Sequence, residues 1–260
     1  MIFLIIGIFC FLSVGYATFG SNFLIAGKGT IVTKTVADEL STKAVTSGDG
    51  LYADTYERGR YVFKGADPDN YIWLDLNGNG AKTDNEIFRI IAVEPDGTIK
   101  VVAQNSLVNM VWDPGYSTSI SGVTSANSME GTRWSNVSTD YCYYSTSATI
   151  YYGCNIWGSK TTMLDSNENN ITRVPRNIGS TTLYNLPSSE AYINVYLNTE
   201  FYNSLNDIIK TKVVTHVFNV GILKDSSSQD LEIDIEQEKA YKWKGKIGLI
   251  NVTDYVKASL

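Results

Sequence analysis

"EIFRIIAVEPDGTIKVVAQ", Glu86 to Gln104, holds two short runs of Val, Ile and Phe on either side of Glu94-Pro95-Asp96-Gly97. β-Branched and aromatic side chains fit a pleated, half-buried surface. Pro presets φ for a turn and Gly supplies a positive φ, so 87–103 reads as a β-hairpin. Working outward, "RYVFKG" (60–65) and "YIWLD" (71–75) have the same composition and the same Gly, Pro, Asp and Asn boundaries, and they read as further strands. On the C-terminal side, Ser188 and Ser189 follow Pro187 and can cap a helix over Ala191, Ile193, Val195, Tyr196 and Leu197. A second helical stretch is expected across "SLNDIIKTKVVTH" (204–216), which puts His216 at a helix end. The acidic "DLEIDIEQEKA" (230–240) reads as a short solvated helix and "GKIGLINV" (245–252) as strand-like. No internal repeat is visible, which excludes solenoids and propellers. The expected class is α+β: an antiparallel sheet with a pair of helices inserted between early and late strands.

The chain has 260 residues, 43% hydrophobic and 12% aromatic, which is enough to bury a sizeable core. Charged residues make up only 18%, so Ser, Thr, Asn and Tyr must supply much of the polar surface. A net charge of -6 without a Lys/Arg cluster argues against nucleic acid as a partner, because phosphate binding requires concentrated positive charge.

The N-terminus is an apolar run from Ile2 to Val14 followed by Gly15-Tyr16-Ala17, with small residues where a signal peptidase reads. Residues 1–17 are therefore expected to be a signal peptide or membrane anchor. Residues 18–50 form a spacer with one strand-like segment, "FLIAGKGTIV" (23–32), and 51–260 form the main domain. Export fits the two remaining cysteines, Cys142 and Cys154, which read as one disulfide. Closing a loop of that size stabilises by about 3 kcal/mol in the chain-entropy account.

Between Gly115 and Met163, Ser, Thr, Gly, Asn and Tyr dominate, which suggests long surface loops. Tyr offers large rigid contact area, and Ser, Gly and Asn offer adaptable hydrogen bonding. Tyr143, Tyr144, Tyr151, Tyr152 and Trp157 are accordingly the candidate ligand-binding residues.

Several of these stretches also carry a family resemblance. "FRIIAVEPDGTIKVV" (88–102), "VWDPG" (111–115), "INVYLNTEFYNSL" (193–205), "VVTHVFNVG" (213–221) and "WKGKIGLINVTDYVKAS" (243–259) resemble a family of uncharacterised domains on exported surface proteins of Gram-positive and related bacteria. The resemblance spans roughly 51–260 and implies a C-type-lectin-like or formylglycine-generating-enzyme-like fold: a mixed antiparallel sheet with two helices and long surface loops. The family continues past the "DYVKAS" element, which implies that C-terminal strands of the fold are missing from this chain.

Catalytic signatures are scarce. The sequence has no H-E-x-x-H, P-loop, G-x-S-x-G or strand-borne G-x-G-x-x-G, and His216 is the sole histidine. The cysteines on which formylglycine-generating enzymes depend have no counterpart near the C-terminus. The expected function is an extracellular or cell-surface binding module for a protein or glycan partner; the alternative is a structural wall- or matrix-associated subunit.

One short motif has specific chemistry. "DLNGNGAKTDNE" matches the EF-hand loop, with Asp75, Asn77 and Asn79 offering side-chain oxygens, Gly80 the turn, Ala81 its carbonyl, Thr83 a water-mediated contact and Glu86 a bidentate carboxylate. Asp, Asn and Gly are also the ordinary residues of a hairpin connection, and the flanking segments read as strands. The expectation is a weak structural Ca2+ site, with affinity on the order of 0.1–1 mM.

Overall fold

The computed structural model describes residues 35–107, 110, 112, 156–175, 180–221 and 231–258, and the backbone of 116–117 and 150–151. The signal or anchor segment, both cysteines of the expected disulfide, Tyr143, Tyr144 and Tyr152 lie outside the described residues. Thr35–Leu260 is one compact unit.

Chain order begins with a short helix, α1 (Val36–Ser41), closed by a capping box between Thr35 and Asp38. Strands β1 (Gly50–Ala53), β2 (Tyr61–Lys64), β3 (Tyr71–Trp73), β4 (Ile87–Val93) and β5 (Ile99–Ala103) then form one antiparallel sheet. β4 is its central strand. Its first half pairs with β3 and its second half with β2 along one edge, while β5 follows the other through the expected hairpin. Glu94 N–H to Thr98 C=O (2.8 Å) and Gly97 N–H to Glu94 C=O (3.0 Å) close that turn, with Gly97 at φ 83°. Alternation along β4 buries Phe88, Ile90 and Ala92, and Ile90 joins Leu51, Phe63, Val93 and Ala37 of α1 in a first core. Residues N-terminal to 51 therefore contribute to this core.

Short strands β6 (Tyr116–Ser117) and β7 (Ile150–Tyr151) pair with each other. β8 (Met163–Asp165) joins the later β11 (His216–Asn219) and β12 (Tyr241–Gly245) in a three-stranded antiparallel sheet, while β9 (Arg173–Pro175) pairs with β10 (Leu183–Asn185). The inserted helices are present: α2 (Tyr192–Tyr196) runs through a π-helical turn (Leu197–Phe201) into α3 (Tyr202–Ser204), and α4 (Asp207–Lys212) follows. The chain continues with α5 (Leu231–Lys239) and, after β12, α6 (Val252–Ala258). A second core gathers Ile156, Trp157, Met163, Val174, Leu186, Leu197 and Trp243. The structure is thus α+β with antiparallel sheets and few, short helices.

Four local expectations need correction. The acidic helix expected over 230–240 is not simply solvated, since its Ile235 and Glu238 are buried. Ala191, not Ser188 or Ser189, is the N-cap of α2, and no side chain caps it; the start is set by tertiary contact, Ala191 N–H donating to Trp157 C=O at 3.0 Å. The helix across 204–216 ends at Lys212, because Val213, Val214 and Thr215 form a β-branched run that favours extended backbone, so His216 opens a strand. The strand expected over 245–252 lies earlier, at Tyr241–Gly245, and Ile247–Ile250 are irregular.

Candidate functional site

Two hairpin ends and one helix converge on a cluster of charge. Asp54 follows β1, Arg60 precedes β2, and the pair is closed by Asp54 N–H donating to Arg60 C=O at 2.9 Å. Glu94 follows β4 and Lys100 lies on β5, so the β4–β5 turn carries both to the same end of the sheet. Asp254 and Lys257 lie three apart on α6 and share a face.

Arg60 is the hub. Its Nη1 donates to Asp54 Oδ2 (3.0 Å), its Nε and Nη2 grip both oxygens of Glu94 (2.9 and 3.2 Å), and Nη2 also reaches Asp254 Oδ1 (2.7 Å). Lys257 Nζ meets Asp54 Oδ2 at 2.8 Å, while Lys100 Nζ meets Asp254 Oδ2 at 2.6 Å and Asn251 Oδ1 at 2.9 Å. Arg60 is 5% exposed, so these charges act in a poorly hydrated setting where fork-shaped pairing matters most. Burial works against ionisation of Asp254, but the Lys100 and Arg60 charges overcome it and hold its carboxyl below the ordinary range. Asp54 behaves likewise: burial opposes its charge, and the Lys257 bond, the Tyr56 amide and Arg60 outweigh it. Burial also opposes the Arg60 charge, yet Asp254 and Glu94 raise its pKa further.

Glu238, on α5, is different. It is 4% exposed and accepts from Thr253 N–H (3.3 Å) and from the Thr253 hydroxyl. Burial pushes its carboxyl upward, with the Thr253 bonds offsetting only part of the effect.

A cavity of about 420 Å3 opens beside this cluster. Arg60, Glu94, Lys100, Glu238 and Asp254 contribute to its lining, together with His216, Phe218 and Asn219 of β11. His216 packs edge-on against Phe218, with ring centroids 5.4 Å apart, and Lys100 Nζ lies 5.6 Å from the Phe218 centroid. The volume is that of a small-ligand site, and polar groups dominate its lining.

Among the described residues, Trp157 and the 75–86 connection are not part of this cavity lining. Trp157 is 8% exposed and packs against Trp112 and Trp243 at 5.4 and 5.5 Å, so its ring belongs to the second core. Tyr151 lies on β7. The 75–86 connection joins β3 to β4. Asp75 accepts from the N–H groups of Gly78, Asn79 and Gly80, and Asn77 and Asn79 accept from the amides of Asn79 and Ala81. Glu86 is 3% exposed and accepts from Leu76 N–H, Thr83 N–H, the Thr83 hydroxyl and the Trp73 indole. Gly78 and Gly80 sit at φ 75° and 70°, a backbone region suited to glycine. Asn206, the N-cap of α4, donates N–H to Leu76 C=O at 2.8 Å and docks the loop. Among the described residues no group of three or more His, Cys, Asp or Glu is arranged to hold a metal ion, and no helix is long and apolar enough to cross a membrane.

Comparison with protein-family models, curated proteins and solved structures returns no match.

Proposed function

We propose that this protein is a cell-surface binding module, built on a C-type-lectin-like scaffold, that recognises a glycan by taking one sugar residue into the cavity beside Arg60. The observation that carries this reading is the character of the cavity wall. Thr215 and Asn219 put a hydroxyl and an amide within one concave surface, and Phe218 adds an aromatic side chain to it. Sugar rings present that mixture in reverse: several hydroxyls around an apolar C–H face. The Arg60 network beneath is internally hydrogen-bonded, so its side chains are already ordered before a ligand arrives, which lowers the entropic cost of binding. The apolar N-terminal run and the Ser/Thr/Asn/Tyr-rich sequence support a location outside the cell.

A glycan array probed with the purified protein, followed by titration of the best hit, tests this. Thr215 is exposed at the cavity mouth, and Thr215→Trp should abolish binding without changing the melting temperature by more than a degree or two. Binding that survives this block, or binding to proteins alone, overturns the reading.

A further inference from the structure

The charge inventory around the cavity is uneven. Four buried or nearly buried acids, Asp54, Glu94, Glu238 and Asp254, surround three cations, Arg60, Lys100 and Lys257. Each of the first, second and fourth acids bridges to at least one of those cations at 3.0 Å or less. Glu238 does not. Its carboxylate accepts from Thr253 and from the Val252 main-chain N–H, and among the described residues no Lys or Arg bridges to it. The lysines at the rim are already engaged, Lys239 with Glu236 at 3.5 Å and Lys242 with Glu168 at 3.0 Å. Buried carboxylates are ordinarily paired with a cation, and Glu238 lines an open cavity in which a cation of ligand size fits.

Resting on the glycan reading above, we infer that the cavity selects an amino sugar with a free, protonated amine, and that Glu238 is the counter-ion for its ammonium group. The ammonium completes the charge set as a fourth cation, and the sugar hydroxyls meet the amide and hydroxyl side chains of the wall. A lysine side chain carries the same charge, but its long apolar stem finds a mostly polar lining and little to pack against. An N-acetylated sugar keeps the ring and the hydroxyls and lacks the charge, so it separates this inference from the reading it rests on.

The test is calorimetric titration of the full chain at neutral pH with a glucosamine tetrasaccharide and with its fully N-acetylated counterpart. The free amine should bind more tightly by about tenfold or more, as expected when a desolvated charge gains a partner. Glu238→Gln, which preserves shape and an oxygen acceptor for Thr253, should remove that difference. The wild-type comparison decides the matter even if the variant does not fold. Equal affinity for both sugars, blocked by Thr215→Trp, overturns the amine preference and leaves the glycan reading standing. Failure of both sugars to bind overturns the amine inference, while the glycan reading stands or falls on the array.

Discussion

Asn198 ties the π-helical turn to Ile247: its Nδ2 donates to Ile247 C=O at 2.9 Å, and its Oδ1 accepts from Ile247 N–H at 3.1 Å. The same Oδ1 takes Lys246 N–H at 3.1 Å, and Nδ2 also reaches Asn194 Oδ1 at 2.9 Å. One amide therefore supplies partners to an irregular segment, 246–247, that no strand pairs. Asn198→Ala leaves those main-chain groups without partners, and a loss of about 1–3 kcal/mol is expected in urea unfolding. A loss below a few tenths would mean that water replaces the amide without cost.

Arg60 supports three carboxylates at once. Arg60→Met removes the charge and keeps much of the volume, stranding Glu94 and leaving Asp54 and Asp254 with one lysine each. Removal of one partner from a buried charge group costs about 3–5 kcal/mol. Arg60→Lys should recover only part of this, because an ammonium lacks the planar fork that holds both Glu94 oxygens. Equal stability of the Lys and Met variants would show that fork geometry contributes nothing.

Stability should peak at mildly acidic pH. Asp54 and Asp254 have depressed pKa values in the folded state, so their contribution is present above the unfolded value of 3.8 and disappears as pH falls through the folded values. Glu238 has the opposite sign. Its folded pKa is raised from 4.5, so its contribution is complete below 4.5 and is lost as pH rises through the folded value. Melting temperatures measured from neutral pH down to about 4.5 should therefore rise in the wild type, and that limb should be flat in Glu238→Gln. A sloping limb in the variant would assign the effect to another group.

The strands were legible in the sequence wherever β-branched and aromatic runs met turn residues, as in 61–64 and 87–103, because both signals are local. The ends of α2 and α4 were less so. Ala191 caps through a contact to Trp157, which lies 34 positions away, and no local residue type announces that. Among the candidate site residues, Trp157 looked like a binding aromatic and is a core one, since composition cannot tell which face of a chain is covered. The charge cluster was illegible for a related reason. Asp54, Arg60, Glu94, Lys100, Glu238, Asp254 and Lys257 form no motif, and only the topology brings them together. The available signal was faint: a Lys and an Asp three apart in one short helix.

Calcium provides a separate test of the 75–86 connection. Glu86 already accepts four bonds from Leu76, Thr83 and Trp73, and bidentate ligation would require it to give these up. We expect millimolar calcium to leave the melting temperature unchanged. A rise that vanishes in Asp75→Ala would instead establish a metal site there. Asp75→Ala should itself destabilise by about 1–2 kcal/mol, since three amides lose their acceptor.

Arg60 and Asp254 are 194 positions apart, and Asp54 and Lys257 are 203 apart, so the cluster joins segments made early and late on the ribosome. The early segment contributes Asp54, Arg60, Glu94 and Lys100, two charges of each sign, and α6 contributes Asp254 and Lys257, one of each. Each part is electrically neutral by itself. The five-stranded sheet can therefore form on the emerging chain with the four hub charges at its end balanced, and α6 can dock later without bringing in any net charge.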